Sequence, residues 1–115
     1  MTKLESLRSR FMRDPIPIRL GGLAANLARL GSFSKNEGHR DVVLSILFES
    51  KWFIEWTAAD LNILESAELV ELQIQLALWS LQSHNEWSND NWRNKLANES
   101  NQWSQRILEM SGLIV

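Results

Sequence analysis

Apolar and polar residues recur along this chain with the periodicity of helices. Apolar positions three or four residues apart fill the segments between turn residues, and no segment alternates apolar and polar residues over several positions. The pattern predicts an all-α fold, an antiparallel bundle of four long helices at about residues 15–30, 35–56, 58–83 and 89–110, with a short N-terminal helix at about 3–12. With 115 residues, the chain has the length of one domain, so we expect a single helical domain over residues 1–115.

Capping and turn residues set these boundaries. Thr2 with Glu5, and Ser34 with Glu37, have the spacing of a capping box, in which side chains satisfy the free N–H groups of a first helical turn. The residues expected to begin or end helices are Thr2, Asp14, Gly31, Ser34, Thr57, Ser88 and Gly112. The second helix contains three small residues, Gly21, Ala25 and Ala28. They predict a groove in which another helix packs closely.

The predicted helix over residues 58–83 is apolar on two opposite sides. One side is a narrow stripe with spacings of four, three, four, three and four: Ile63, Ala67, Val70, Ile74, Ala77 and Leu81. The other side holds Leu61, Leu69, Leu72, Leu76 and Trp79. A helix at a protein surface needs only one apolar side, so this one predicts a central position or a subunit interface. We expect the first stripe to be buried, so that Ile74→Ala costs roughly 2–5 kcal/mol.

Three aromatic residues follow one another at intervals of four on the charged side of the third helix. They are Phe48, Trp52 and Trp56, with Leu44 beside them. Large apolar patches on a protein surface tend to be contact sites. The four residues are therefore the predicted interface with a second copy of the chain or with another protein.

The last predicted helix has one ordinary apolar face, formed by Trp92, Leu96, Trp103, Ile107 and Met110. Glu99 falls within that face, either shielded by Arg106 or at its edge. Together with His39 and His84, Glu99 is a candidate polar site. The two histidines would lie near each other if the third and fourth helices form an antiparallel hairpin. The pattern assigns no role to Trp87, which falls in the last turn.

Composition narrows the possible chemistry. The chain has no cysteine, which excludes thiolate catalysis, disulfides and thiolate metal sites. The Glu-x-x-His pairs of di-iron bundles, the glycine motifs of nucleotide sites and the nucleophile elbow of serine hydrolases are also absent from the sequence. We therefore expect no metal and no cofactor, and favour a protein that is not an enzyme. The polar first ten residues do not resemble a signal peptide and no apolar run has the length of a bilayer span, so we expect no membrane association and a cytoplasmic location.

Charge is unevenly distributed along the chain. Residues 1–40 contain eight Lys or Arg and three Asp or Glu, whereas the whole chain has a net charge of −2. This difference indicates either attraction between the two parts of the fold or a basic patch for an anionic partner.

Three hypotheses about function follow. The preferred one is a non-catalytic interaction module that forms a homodimer or binds a protein partner through the aromatic stripe. The second is a small-molecule-binding bundle or enzyme with a tryptophan-lined pocket. The third is a nucleic-acid accessory protein that uses the basic residues 1–40, although these residues form no recognised DNA- or RNA-reading motif.

Overall fold

The structure is a computed structural model that describes residues 2–113. Its five α-helices are α1 (Lys3–Met12), α2 (Ile16–Ser34), α3 (Arg40–Thr57), α4 (Ile63–Glu86) and α5 (Asp90–Ser111), and short 3-10 turns span Glu37–His39 and Ala58–Asp60. No β-strand occurs among the described residues. The predicted all-α bundle with a short N-terminal helix is confirmed.

The four long helices pack each against its neighbours in the chain, and α5 closes the bundle by packing along α2. The contact between α2 and α5 is the most extensive in the molecule, followed by that between α2 and α3, whereas α4 rests on α3 and α5. Leucines fill the centre because their side chains bury well in a helical core. The most deeply buried leucines are Leu20, Leu23, Leu27, Leu30, Leu47, Leu69, Leu72, Leu76 and Leu96.

The close contact between α2 and α5 corrects two predictions about α2. Gly31 was expected to end the helix, but α2 continues to Ser34, and a Cβ atom on Gly31 would lie only 3.1 Å from the Ala97 carbonyl oxygen of α5. Of the small residues expected to form the groove, Ala25 and Ala28 are exposed, so the groove lies on another side of the helix. Buried Ala24 is part of that contact, and its carbonyl oxygen accepts a 2.7 Å hydrogen bond from the Ser104 hydroxyl.

Several helix caps also differ from the prediction. Ser34 belongs to the last turn of α2, where its hydroxyl donates to the Leu30 carbonyl, and α3 begins only at Arg40 after the turn at Glu37–His39. Asn62 caps α4 and Asn89 caps α5, in place of Thr57 and Ser88. Thr2 caps α1 as expected, and the left-handed Gly112 ends α5.

The orientation of α4 is opposite to the predicted one. Leu69, Leu72, Leu76 and Trp79 are buried, whereas Ile74 is 59% exposed and lies on the outer side. The reason is area: the buried side carries three leucines and a tryptophan, whereas the outer stripe includes two alanines and a valine. Burying the larger side chains removes more apolar surface from water.

At each end of the bundle, a buried side chain donates a hydrogen bond to a neighbouring element. Arg19 of α2 is buried and donates to the Trp56 carbonyl oxygen at 3.3 Å and to the Asp60 carboxylate at 3.0 Å. At the other end, the buried indole of Trp87 donates to the Glu37 carbonyl oxygen at 2.7 Å. Trp87 therefore joins the α4–α5 turn to the α2–α3 connection.

Candidate protein-contact surface

The outer side of α4 is an uncovered apolar stripe. We call Ile63, Ala67, Val70, Ile74, Ala77 and Leu81 the α4 stripe. Its four large members, Ile63, Val70, Ile74 and Leu81, are 85%, 52%, 59% and 68% exposed, and its two alanines are exposed as well. No charged residue interrupts the stripe over its whole length.

A groove between α3 and α4 borders the stripe. It has a volume of about 700 Å³. Its apolar walls come from α3 and α4, and they include Leu44, Leu47, Phe48, Leu76, Ala77 and Leu81. Phe48 stands at the rim with 57% of its surface exposed. The α4 stripe, Leu44 and Phe48 form one apolar surface, which we call the α3–α4 face.

The middle of this face is held in place by one hydrogen bond between the two helices. The Gln73 amide donates to the Glu55 carboxylate at 2.8 Å. Beyond this bond, Val70 and Ile74 border a second, smaller depression together with Ile54 and Ala58 of the preceding segment. The apolar surface therefore continues on both sides of the Gln73–Glu55 pair.

The aromatic residues predicted as an interface differ in their exposure to solvent. Phe48 is exposed, but Trp52 and Trp56 are half-buried and stack on each other with ring centroids 5.8 Å apart. Trp56 also contacts Phe11 of α1, which in turn stacks on Phe53 at 4.1 Å. α1 thus covers one end of the aromatic row, and Leu44 and Phe48 at the other end stay next to the α4 stripe.

The candidate polar residues lie on three different elements with three different neighbours. His39 packs edge-on against Phe33 at 5.1 Å, His84 lines the α3–α4 groove, and Glu99 pairs with Lys95 at 3.8 Å. Arg106, which was considered as the partner of Glu99, pairs instead with Glu68 and Glu71. Within residues 2–113, no group of three or more His, Asp or Glu side chains has a metal-binding arrangement.

The tryptophans do not line the groove between α3 and α4. A cleft of about 260 Å³ between α4 and α5 is lined by Trp79, Trp92 and Glu99 among others. This volume is below the ~300–1,000 Å³ of usual ligand pockets. The indole of Trp92 already donates to Gln82 across the same cleft, at 3.2 Å.

Two glutamates near the α4 stripe form ion pairs with an arginine outside the α3–α4 face. Glu68 and Glu71 pair with Arg106 of α5 at 3.2 and 3.7 Å. In the basic first third, Arg19 is buried against Asp60. The exposed basic residues of this part of the chain are Lys3, Arg8, Arg10 and Arg13 at α1, and Arg29 and Lys35 at α2. The exposed basic residues of α1 therefore belong to a different element from the α3–α4 face.

Comparison of the chain with protein-family models, with curated proteins and with solved structures gave no significant match in any of the three. Among the described helices, none is both long and apolar enough to cross a bilayer. The function is therefore inferred from the surface of the protein itself.

Proposed function

We propose that this protein is a non-catalytic helical interaction module that covers its α3–α4 face with another protein surface. The observation that carries the proposal is the α4 stripe, an uninterrupted apolar surface that spans residues 63–81 of the 24-residue helix and faces solvent. A scattered exposed leucine is normal on a monomer. An ordered row of six apolar positions is a feature of helices that pack against something.

The size of the face supports a protein partner. Five large side chains with about half or more of their surface exposed leave several hundred Å² of apolar area in contact with water. The largest apolar patch on a typical monomer has ~300–600 Å² and is often functional. A row of anchors at spacings of three and four is the pattern by which one helix recognises another. The shape of the face, long and narrow, therefore matches a helix more closely than a compact ligand.

The polar groups around the face support recognition by apolar burial. Lys51, Glu55, Gln73 and His84 border the groove, and two of them, Glu55 and Gln73, already bond to each other. The tryptophans, expected as the walls of a ligand pocket, lie elsewhere. The α3–α4 face thus offers a contact surface with few groups for chemistry.

Site-specific photocrosslinking tests the proposal. A photoreactive benzoylphenylalanine replaces Ile74 at the centre of the stripe, and a matched control carries it at Gln102, an exposed position of α5. Irradiation in the cells that produce the protein should give a discrete protein adduct from position 74 and none from position 102. Mass spectrometry then identifies the adduct, and either this chain or a different protein supports the proposal. No discrete adduct from position 74, or the same adducts from both positions, contradicts it.

A further inference from the structure

We infer that the protein covering the α4 stripe is a second copy of this chain, whose own α4 lies antiparallel about a two-fold axis that crosses the stripe between Val70 and Ile74. This inference rests on the proposed function of the α3–α4 face and names its partner. It is carried by the spacing of the stripe, by the residues beside it and by the position of Phe48.

The spacing of the stripe residues is the same in both directions along α4. Its spacings of four, three, four, three and four are symmetric about position 72, so an antiparallel copy places stripe residues opposite stripe residues at every step. Ile63 then faces the partner's Leu81, and Val70 faces the partner's Ile74. Ala67 faces the partner's Ala77, so that two small side chains allow the backbones to approach closely. A two-fold interface requires this kind of self-complementarity, because the same patch is used twice.

The positions beside the stripe follow the same symmetry. Leu64 and Leu78, both exposed, lie on one flank at the two ends, so that Leu64 faces the partner's Leu78. On the other flank, Ser66 faces the partner's Ser80. Each apolar position meets an apolar one and each hydroxyl meets a hydroxyl, which leaves no polar group opposite a leucine.

Glu71 is the one charged residue on the leucine flank of the stripe, and it lies near the proposed axis. Two copies would bring two Glu71 side chains toward each other, which is unfavourable for like charges. In the structure, the Glu71 carboxylate lies 3.7 Å from the Arg106 guanidinium of α5, which also pairs with Glu68. Arg106 therefore places an opposite charge beside Glu71 and reduces the repulsion between the two copies of Glu71.

Phe48 distinguishes the antiparallel from the parallel arrangement. Phe48 lines the α3–α4 groove together with Leu81, the last residue of the stripe. In the antiparallel pair, the partner's Ile63 lies at that end, so Phe48 covers the most exposed residue of the partner's stripe. A parallel pair would leave both Ile63 ends without this cover and would align the helix dipoles unfavourably.

The area of the pair is adequate for a dimer of ordinary affinity. The stripe, Leu64, Leu78 and Phe48 are contributed twice, together with the polar margin of the groove. That surface is on the order of the ~800 Å² per partner found in standard interfaces. Several side chains in it exceed half exposure in the single copy, so the dimer removes them from water.

Disulfide trapping tests the orientation, and the absence of native cysteine makes it clean. Single variants Ile63→Cys and Leu81→Cys are purified, one with an affinity tag, mixed, and oxidised with oxidised glutathione. The antiparallel pair predicts that the mixed disulfide between positions 63 and 81 exceeds either same-site disulfide by about tenfold or more, since only opposite ends come within bonding distance. Predominance of the 63–63 and 81–81 products would overturn the proposed orientation.

Sedimentation equilibrium tests the partner itself, with Ile74→Glu as the variant and Ile18→Glu as the matched control. Ile18 is an exposed isoleucine of α2, far along the chain from the face. A charge at the centre of a dimer interface should weaken association by about 100-fold or more, whereas the control should stay within about threefold of the unchanged protein. Circular dichroism of both variants verifies that the helices are intact. An unchanged protein that stays monomeric at hundreds of micromolar, or a dimer that Ile74→Glu leaves intact, refutes the self-pairing.

The outcomes separate this inference from the proposed function. A photocrosslinked adduct with a different protein, together with a monomeric purified chain, overturns self-pairing and supports the interaction module. The absence of any adduct from position 74, together with a monomeric chain, overturns both.

Discussion

The absence of a side chain at Gly31 allows α2 and α5 to pack closely at this position. A Cβ atom at this position would lie 2.5 Å from the Asn101 amide oxygen and 3.1 Å from the Ala97 carbonyl oxygen. Gly22, nine residues earlier in the same helix, has room for a Cβ atom, since the nearest atom to that position is a ring carbon of Phe11 at 4.0 Å, an ordinary van der Waals distance. Two glycines of one helix thus serve different purposes, which the sequence alone does not distinguish.

Alanine at the two glycines should change stability in opposite directions. Gly31→Ala should lower the free energy of unfolding by about 1 kcal/mol, because Asn101 must turn away and α5 must move outward. Gly22→Ala should raise it by about 0.5–1 kcal/mol, since alanine has the better helix propensity and meets no obstacle. Urea unfolding of both variants measures the difference. Equal gains at the two positions would mean that α2 and α5 lie farther apart than described.

At the scale of the element, α4 shows how two apolar sides divide between core and surface. The inner side contains Leu72, which is fully buried, and the outer side contains Ile74, which is 59% exposed. The two residues are separated by a single position, and both are aliphatic side chains of similar size. They are therefore a matched pair for measuring which side supports the fold of the single copy.

Truncation of these two residues should have unequal effects in dilute solution. Leu72→Ala should cost roughly 2–5 kcal/mol, because it opens a cavity among the buried leucines. Ile74→Ala should cost less than about 1 kcal/mol below micromolar concentration, where self-association does not contribute. Thermal unfolding followed by circular dichroism tests both. A loss at Ile74 as large as that at Leu72 would show that the outer stripe is covered within one copy.

Helices were predictable from the sequence because their periodicity is local, whereas orientation and boundaries depend on tertiary contacts. Ser34 fits a cap, yet it lies inside α2 because α5 stabilises the extra turn at Gly31. Both sides of α4 fit a core side, and only the presence of Ala67 and Ala77 in one of them hinted at the outcome. A comparison of side-chain volume between the two sides would have favoured the correct orientation.

The candidate surface was predictable only in part, for a similar reason. The row Phe48, Trp52 and Trp56 is visible in the spacing, but the pattern does not show which of its members another helix covers. Phe11 of α1 lies against Trp56 and leaves Phe48 free. The spacing pattern itself is clear. The prediction was limited because the exposure of the α3 aromatic residues depends on α1, a helix that is distant in the sequence.

At the scale of the whole molecule, the bundle is closed by its last helix. α5 packs along α2, while α1 contacts mainly the end of α3. The buried residues that α5 supplies to the centre include Leu96, Ala97 and Ile107. The two termini of the chain therefore differ in importance for stability.

Removing the two terminal helices in turn should reveal this difference. A chain that ends after Asn89 loses α5 and should lose cooperative unfolding and most of its helical circular dichroism signal, since α2 then loses its most extensive contact. A chain that begins at Pro15 loses only α1 and should keep a cooperative transition at a lower temperature. Similar behaviour of the two truncated chains would contradict the closing role of α5.

The late position of α5 also has a consequence during synthesis. A ribosome adds on the order of 5–20 residues per second, so the 22 residues of α5 follow α4 by about one to a few seconds. During that interval α2 lacks the helix with which it forms the most extensive contact of the molecule, and the outer stripe of α4 faces solvent as it does in the finished chain. The newborn chain therefore exposes the leucines of α2 as well as the stripe of α4, and these two helices are where we expect a chaperone to bind.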